Sequence, residues 1–120
     1  MTSVLVVDDD KLLRDMAARM LEHAGYSAVV ASSGADALAV IKARPGIDVA
    51  LIDVVLPDMS GFDLARELRR ISARAHIAFM SGFTTDHFRH PVSEPCVTKP
   101  FTIDMLANVV EAALGRSAPD

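Results

Sequence analysis

Two kinds of apolar pattern alternate along this chain. Val4–Val7 is a β-branched-rich run without a polar residue, too short for a helix, and it reads as a strand buried on both faces. From Lys11 to Ala24, Leu13, Met16, Ala17, Met20 and Ala24 recur at spacings of three and four, which predicts one apolar helical face ended by Gly25. Ala28–Ala31 is a second short strand. Gly34–Arg44 is a second helix with Ala37, Leu38 and Ile41 inward, closed by Pro45 and Gly46. Val49–Ile52 is a third strand. The loop Pro57-Asp58-Met59-Ser60-Gly61 then leads into a helix from about Phe62 to Ile71, with Leu64 and Leu68 on its inner side. His76–Met80 and Pro95–Thr98 are the fourth and fifth strands. Ile103–Leu114 is the last helix, packing through Leu106, Val109, Val110 and Ala113, and Gly115 ends it.

This alternation of strand and helix predicts a parallel sheet with helices on both faces. With no repeat and no linker, it reads as one domain over residues 1–115 and a frayed tail over 116–120. In such a sheet, functional groups gather at the carboxyl ends of the strands. There the first strand delivers Asp8, Asp9 and Asp10, the third Asp53, the fourth Ser81 and the fifth Lys99. Clustered carboxylates are costly without a cation. Oxygen ligands with no His or Cys beside them favour Mg²⁺, or Mn²⁺, over zinc. Lys99 adds a positive charge for a transferring phosphoryl group and Ser81 a donor, while a carboxylate can itself be the nucleophile and become an aspartyl-phosphate. Taken singly, Asp8–Asp10 read as a helix cap with acidic neighbours, a role that suffices for Asp10. Asp53 alone reads as a loop residue and Lys99 as a solvated lysine. Their joint appearance at the same ends of successive strands argues for one site.

Composition narrows the picture. The 120 residues suit a single domain. Cys96 is the only cysteine, which excludes an intramolecular disulfide and a thiolate zinc site. No apolar run approaches the roughly 20 residues of a membrane helix. Val4–Val7 ends in three aspartates, unlike a signal peptide, so a soluble, cytoplasmic protein is expected. A net charge of -4, five Phe, one Tyr and no Trp argue against a nucleic-acid surface. Outside Asp8, Asp9, Asp10 and Asp53, acidic and basic residues balance at 12 each, so the acidity is concentrated in the predicted site. His23, His76, His87 and His90 gather no third ligand and read as surface residues. Met16, Met20 and Met105 fall at helical core spacing.

The segments VLVVDDD, LIDVVLPDMSG, FMSG and VTKPF, in this order, resemble the receiver domain of two-component response regulators across essentially the whole chain. The resemblance implies a flavodoxin-like (CheY-like), doubly wound, five-stranded parallel sheet. It implies that Asp53 takes a phosphoryl group from a phosphohistidine on a sensor histidine kinase or histidine phosphotransfer protein. Asp9 would bind Mg²⁺ directly and Asp8 mainly through water, with the backbone carbonyl of Val55 completing the protein ligands. Lys99 would hold a phosphoryl oxygen, Ser81 would be the switch hydroxyl, and a cis Lys99-Pro100 peptide would aim the ammonium inward. Pro57 and Gly61 match the loop turning from the phosphoacceptor strand into the next helix. The implied role is that of a signalling switch acting on a downstream partner protein, catalysing only its own phosphorylation and slow dephosphorylation.

Departures from the family pattern sharpen these expectations. Cys96 stands where an aromatic switch residue is usual, and reads as a small buried hydrophobe. Only 17 residues separate Ser81 from Lys99, and Pro91 and Pro95 lie among them, so a fourth helix within Thr84–His90 is expected to be short or missing. That change falls on the usual dimer and output face, which leaves the oligomeric state open. Gly82 after Ser81 resembles receivers of hybrid kinases and many stand-alone ones. Val55 and Phe83, at the positions that flank the hydrolytic water, are apolar, so phospho-Asp53 is expected to be long-lived. Two alternatives compete. A degenerate receiver serving as a phosphorylation-independent docking module would lack an acidic residue or the lysine, and all are present. A Mg²⁺-dependent aspartyl-phosphatase needs an acid two residues after its nucleophile, where Val55 stands.

Overall fold

The computed structural model describes residues 1–72, 74–82 and 93–116. In chain order the elements are β1 (Ser3–Val7), α1 (Lys11–His23), β2 (Ser27–Ala31), α2 (Gly34–Ala43), β3 (Val49–Asp53), α3 (Gly61–Ile71), β4 (His76–Gly82), β5 (Cys96–Lys99) and α4 (Ile103–Ala113). The expected helix within Thr84–His90 lies outside the described residues, as does Phe83.

The five strands pair in the order β2-β1-β3-β4-β5, all parallel. Successive strand residues point to opposite faces, and the core divides accordingly. Leu5, Val7, Ala50, Ile52, Ile77 and Phe79 pack with Ala37 and Ile41 of α2 and Leu64 and Leu68 of α3. Val4, Val6, Val49, Leu51, Ala78, Met80 and Val97 pack with Ala17 and Leu21 of α1 and Leu106, Val109 and Val110 of α4. An unbroken Val-Leu-Val-Val run is what a central strand between two such layers requires, and Val4–Val7 are wholly buried.

Side-chain caps set where the helices begin. Asp10, Ser33, Ser60 and Thr102 each accept the N–H three residues on, from Leu13, Asp36, Asp63 and Met105. Gly25 and Gly115 take positive φ after α1 and α4 and end them. Arg116, expected in the tail, is held by Glu111: its guanidinium meets the carboxylate at 2.7 Å and its N–H meets the Glu111 carbonyl at 2.9 Å. Among the described residues no helix is long and apolar enough to cross a membrane.

Expectations about the position of four side chains are corrected. Met16 and Ala24 are exposed, because the α1 stripe is centred on Ala17 and Leu21, with Leu13 and Met20 half-buried at its margins. Met105 is likewise exposed, one position off the Leu106–Val109–Val110 stripe of α4. Cys96 is exposed, not buried. It lies on the edge strand, and only the Val97 side of β5 faces the core.

Gly61 is a geometric requirement. A Cβ there would lie 2.8 Å from the Val54 Cα and closer still to the Asp53 carbonyl oxygen, so α3 starts against the end of β3 only because this residue has no side chain. At Gly34 the nearest obstacle is the flexible Met59 side chain, 2.5 Å from a built Cβ to its Sδ. Gly61→Ala is therefore expected to cost about 2–3 kcal/mol in urea unfolding, and Gly34→Ala under about 1 kcal/mol. Equal losses would contradict this account of the turn.

Candidate functional site

The chain runs from β1 outward to β2, then returns across β1 to β3. The strand order therefore reverses between β1 and β3, and a crevice opens at the carboxyl ends of these two neighbours. Val7 is opposite Ile52 in the register, so Asp8 and Asp53 emerge side by side. Alternation puts Asp8 in the row of Val4 and Val6, Asp53 in the row of Val49 and Leu51, and Lys99 in the row of Val97. All three continue the same face.

Lys99 crosses from the edge strand to both carboxylates. Its Nζ donates to Asp8 Oδ2 and to Asp53 Oδ2, each at 2.8 Å. The second oxygen of each carboxylate takes a backbone amide: Asp10 N–H at 2.9 Å from Asp8 Oδ1, and Val55 N–H at 3.0 Å from Asp53 Oδ1. The Lys99-Pro100 peptide is cis, as the resemblance implied. Asp9 is exposed, yet carboxylate oxygens of Asp8, Asp9 and Asp53 all lie within 4.8 Å of one another. Asp10 is turned to its capping role.

The other candidates take separate places. Ser81 is fully buried at the end of β4, in the row of Phe79, and its Oγ lies 3.7 Å from Cys96 Sγ on the neighbouring strand. Gly82 is the last residue of β4 and pairs with Lys99. Val55 is 61% exposed and forms an antiparallel bridge with Ser60 across the loop, while Pro57 is exposed and Gly61 buried. Arg14 escaped the sequence reasoning. From α1 its guanidinium donates to the Asp8 backbone carbonyl at 2.9 Å, fixing the turn that presents the aspartates. Its only sequence signal is a position one helical turn past the Asp10 cap.

Electrostatics follow from one ammonium serving several carboxylates. Burial pushes the Asp53 carboxyl above its ordinary value, against the lowering pull of Lys99 and the Val55 amide, and the Asp8 charge raises it further. Burial alone would lower the Lys99 ammonium. The hydrogen bonds and charges of Asp53 and Asp8 outweigh it, and its pKa is raised. The donor set is oxygen only, and each carboxylate oxygen has a second lone pair beyond its present partner. These residues therefore fit a hard divalent cation such as Mg²⁺.

Residues 4–111 match the response regulator receiver domain, and the chain belongs to that family. A response regulator receiver protein from Burkholderia phymatum superposes at a TM-score of 0.82 and 27% identity over 100% of both chains. One from Sinorhizobium medicae does so at 0.81 and 27%, over 95% of this chain and 94% of that one. The CheY-like class of sheet is thus established. Among curated relatives, the sensory transduction protein RegX3 of Mycolicibacterium smegmatis is 36% identical over 124 aligned positions, 98% of this chain and 53% of that protein. The sensor kinase CckA of Brucella abortus is 33% identical over 119, covering 95% of this chain and 13% of the kinase. The chain spans about half the length of the regulator it matches and a small part of the kinase.

Removing Lys99 leaves Asp8 and Asp53 facing each other without a counter-charge. Lys99→Met is expected to lower stability by about 2–4 kcal/mol in metal-free buffer, with Asp53→Asn in the same chain restoring much of it. The sign with pH follows from the raised ammonium. Its contribution is whole below the unfolded lysine value and is lost as pH climbs through the higher folded value. Alkaline urea titrations should show this loss in the wild type and lack it in Lys99→Met.

Proposed function

We propose that this chain is a phosphoacceptor switch, with Asp53 taking a phosphoryl group from a phosphohistidine on a sensor histidine kinase or histidine phosphotransfer protein. The observation that carries this reading is the pair of carboxylates on adjacent strands joined by one ammonium at 2.8 Å, in a chain of the receiver family. The arrangement suits the reaction. Asp53 must attack as an anion, and the Lys99 ammonium and Val55 amide both favour that form. Its Oδ forms a bond to phosphorus as the phosphorus–nitrogen bond breaks, and the electron pair returns to the imidazole of the donor. Lys99 then has phosphoryl oxygens to hold in place of carboxylate.

Asp8, Asp9, Asp53 and the Val55 carbonyl would hold Mg²⁺, or Mn²⁺. Bound there, the ion supplies charge neutralisation for the phosphoryl oxygens. Ser81, buried beside this edge, is the hydroxyl that would reorient toward the phosphoryl group, with Gly82 giving the backbone room after it. The output is a change in affinity for a downstream partner protein, without nucleic-acid contact or membrane insertion by this domain, and the setting is cytoplasmic. The domain spans 1–115 in this reading.

Incubation with a small phosphodonor and Mg²⁺, followed by intact mass, tests the core claim. The wild type should gain one phosphoryl group and Asp53→Asn none. An unmodified wild type under saturating donor would favour a docking module that works without phosphorylation.

Lifetime is a separate expectation. Val55 presents an apolar, exposed side chain beside the acceptor, which offers no hydrogen bond to orient an attacking water. Phospho-Asp53 should therefore decay over minutes or longer after donor removal, and faster in Val55→Asn. Decay of the wild type within seconds would contradict this role for Val55.

A further inference from the structure

The loop between β3 and α3 carries the Val55 carbonyl and is anchored at both ends to its own strand. Val55 N–H meets Asp53 Oδ1, Val55 bridges to Ser60, and Gly61 N–H meets the Val54 carbonyl at 2.9 Å. Its middle is held by a different element. Asp58 Oδ1 accepts the Gly34 N–H and Oδ2 the Ala35 N–H, each at 2.9 Å, at the start of α2. Ser33 takes the next amide, from Asp36, at 3.1 Å. The first three amides of α2 are thus satisfied by one residue of the loop and one cap of its own. Met59 adds an apolar contact, its side chain lying over Gly34 in the space a Cβ would fill. Among the described residues, the Asp58 pair supplies the only hydrogen bonds from residues 55–60 to another helix or strand outside β3 and α3.

We propose that Asp58 is a positioning residue of the cation site: by clamping the β3–α3 loop onto the start of α2, it fixes the Val55 carbonyl beside the carboxylates of Asp53 and Asp8. The proposal rests on the reading of Val55 as a cation ligand. The local cap Ser33 serves only the third amide of α2, and the first two are taken by a loop residue 24 and 23 positions away, which ties the loop to the helix as much as the helix to the loop. The clamp takes effect on the loop. With Asp58 removed, residues 55–60 keep the bridge to Ser60 and the apolar contact of Met59 but lose their hydrogen-bonded tie to α2, so more of the ordering of the Val55 carbonyl falls to the ion itself. That ordering is then subtracted from the binding free energy.

Calorimetric titration of the full chain with Mg²⁺, without any phosphodonor, tests this. Asp58→Ala should weaken Mg²⁺ binding about 10-fold, the scale on which outer partners of metal ligands act. Asp58→Asn, keeping one acceptor oxygen, should fall between Asp58→Ala and the wild type. Ser33→Ala removes the helix's own cap without touching the loop, and should lower Tm while leaving the Mg²⁺ affinity unchanged. Wild-type affinity in Asp58→Ala would overturn the proposal and leave Asp58 a cap of α2. If Asp58→Ala fails to fold, Asp58→Asn decides, and unchanged affinity there overturns the proposal equally. Absence of Mg²⁺ binding by the wild type would overturn the reading of the site itself, and the positioning role with it.

Discussion

Two aspartates emerge side by side from the central strands of this sheet with almost no access to water, and a single ammonium from the edge strand lies between them. Such a pair of carboxylates is tolerated only if a cation is held nearby, because the desolvation of two adjacent anions exceeds what backbone amides return. That condition reaches far into the fold. Lys99 must stand at the end of β5, in the row of Val97, so the register of the edge strand is tied to the register of β3 two strands away. A slip by one residue would turn Lys99 to the opposite face and leave Asp8 and Asp53 unbalanced. The hydrophobic layers specify that register, and the ion pair penalises any other.

The same constraint explains why the site is chemically incomplete by itself. Asp8, Asp9 and Asp53 bring three carboxylates within reach of one another against a single lysine. Burial raises the Asp53 carboxyl against the pull of the ammonium it shares with Asp8, and the Asp8 charge adds a smaller push in the same direction. A divalent cation or an electrophile that consumes the Asp53 charge would each relieve the imbalance. A site fully neutralised by protein groups would bind neither well.

Much of this was legible in the sequence, and the boundary is physical. Alternating apolar runs, capping residues and glycine stops act within a few residues of chain, so element order and the position of Asp8, Asp53, Ser81 and Lys99 at the strand ends could be read directly. What could not be read depends on which strand neighbours which. Cys96 was expected to be buried because a thiol in a short apolar strand usually is. Its exposure follows from β5 being an edge, a fact set by the global strand order. Met16 fits the three-and-four spacing as well as Leu21 does, and only the angle at which α1 lies on the sheet separates them. The ties of Asp58 to Gly34 and Ala35 span more than 20 residues and leave no local pattern.

These long-range ties also bear on how a charge change at Asp53 would travel. The helices are fixed to the sheet through close-packed apolar layers. The groups around Asp53 are different, since each is held by one or two polar contacts that a new anion competes for. On the proposed reading, phosphorylation replaces a shared carboxylate oxygen with phosphoryl oxygens carrying more charge, and Lys99 shifts toward them and away from Asp8. The hydroxyl of Ser81 lies 3.7 Å from the Cys96 thiol, a weak hydrogen-bonding partner. On that reading, the side chain beside Ser81 on β5 is a small thiol where an aromatic ring is usual in the family. On the proposed reading the change would therefore pass first through the small polar groups at the strand ends, where Asp8, Asp53 and Lys99 meet and Ser81 lies beside Cys96.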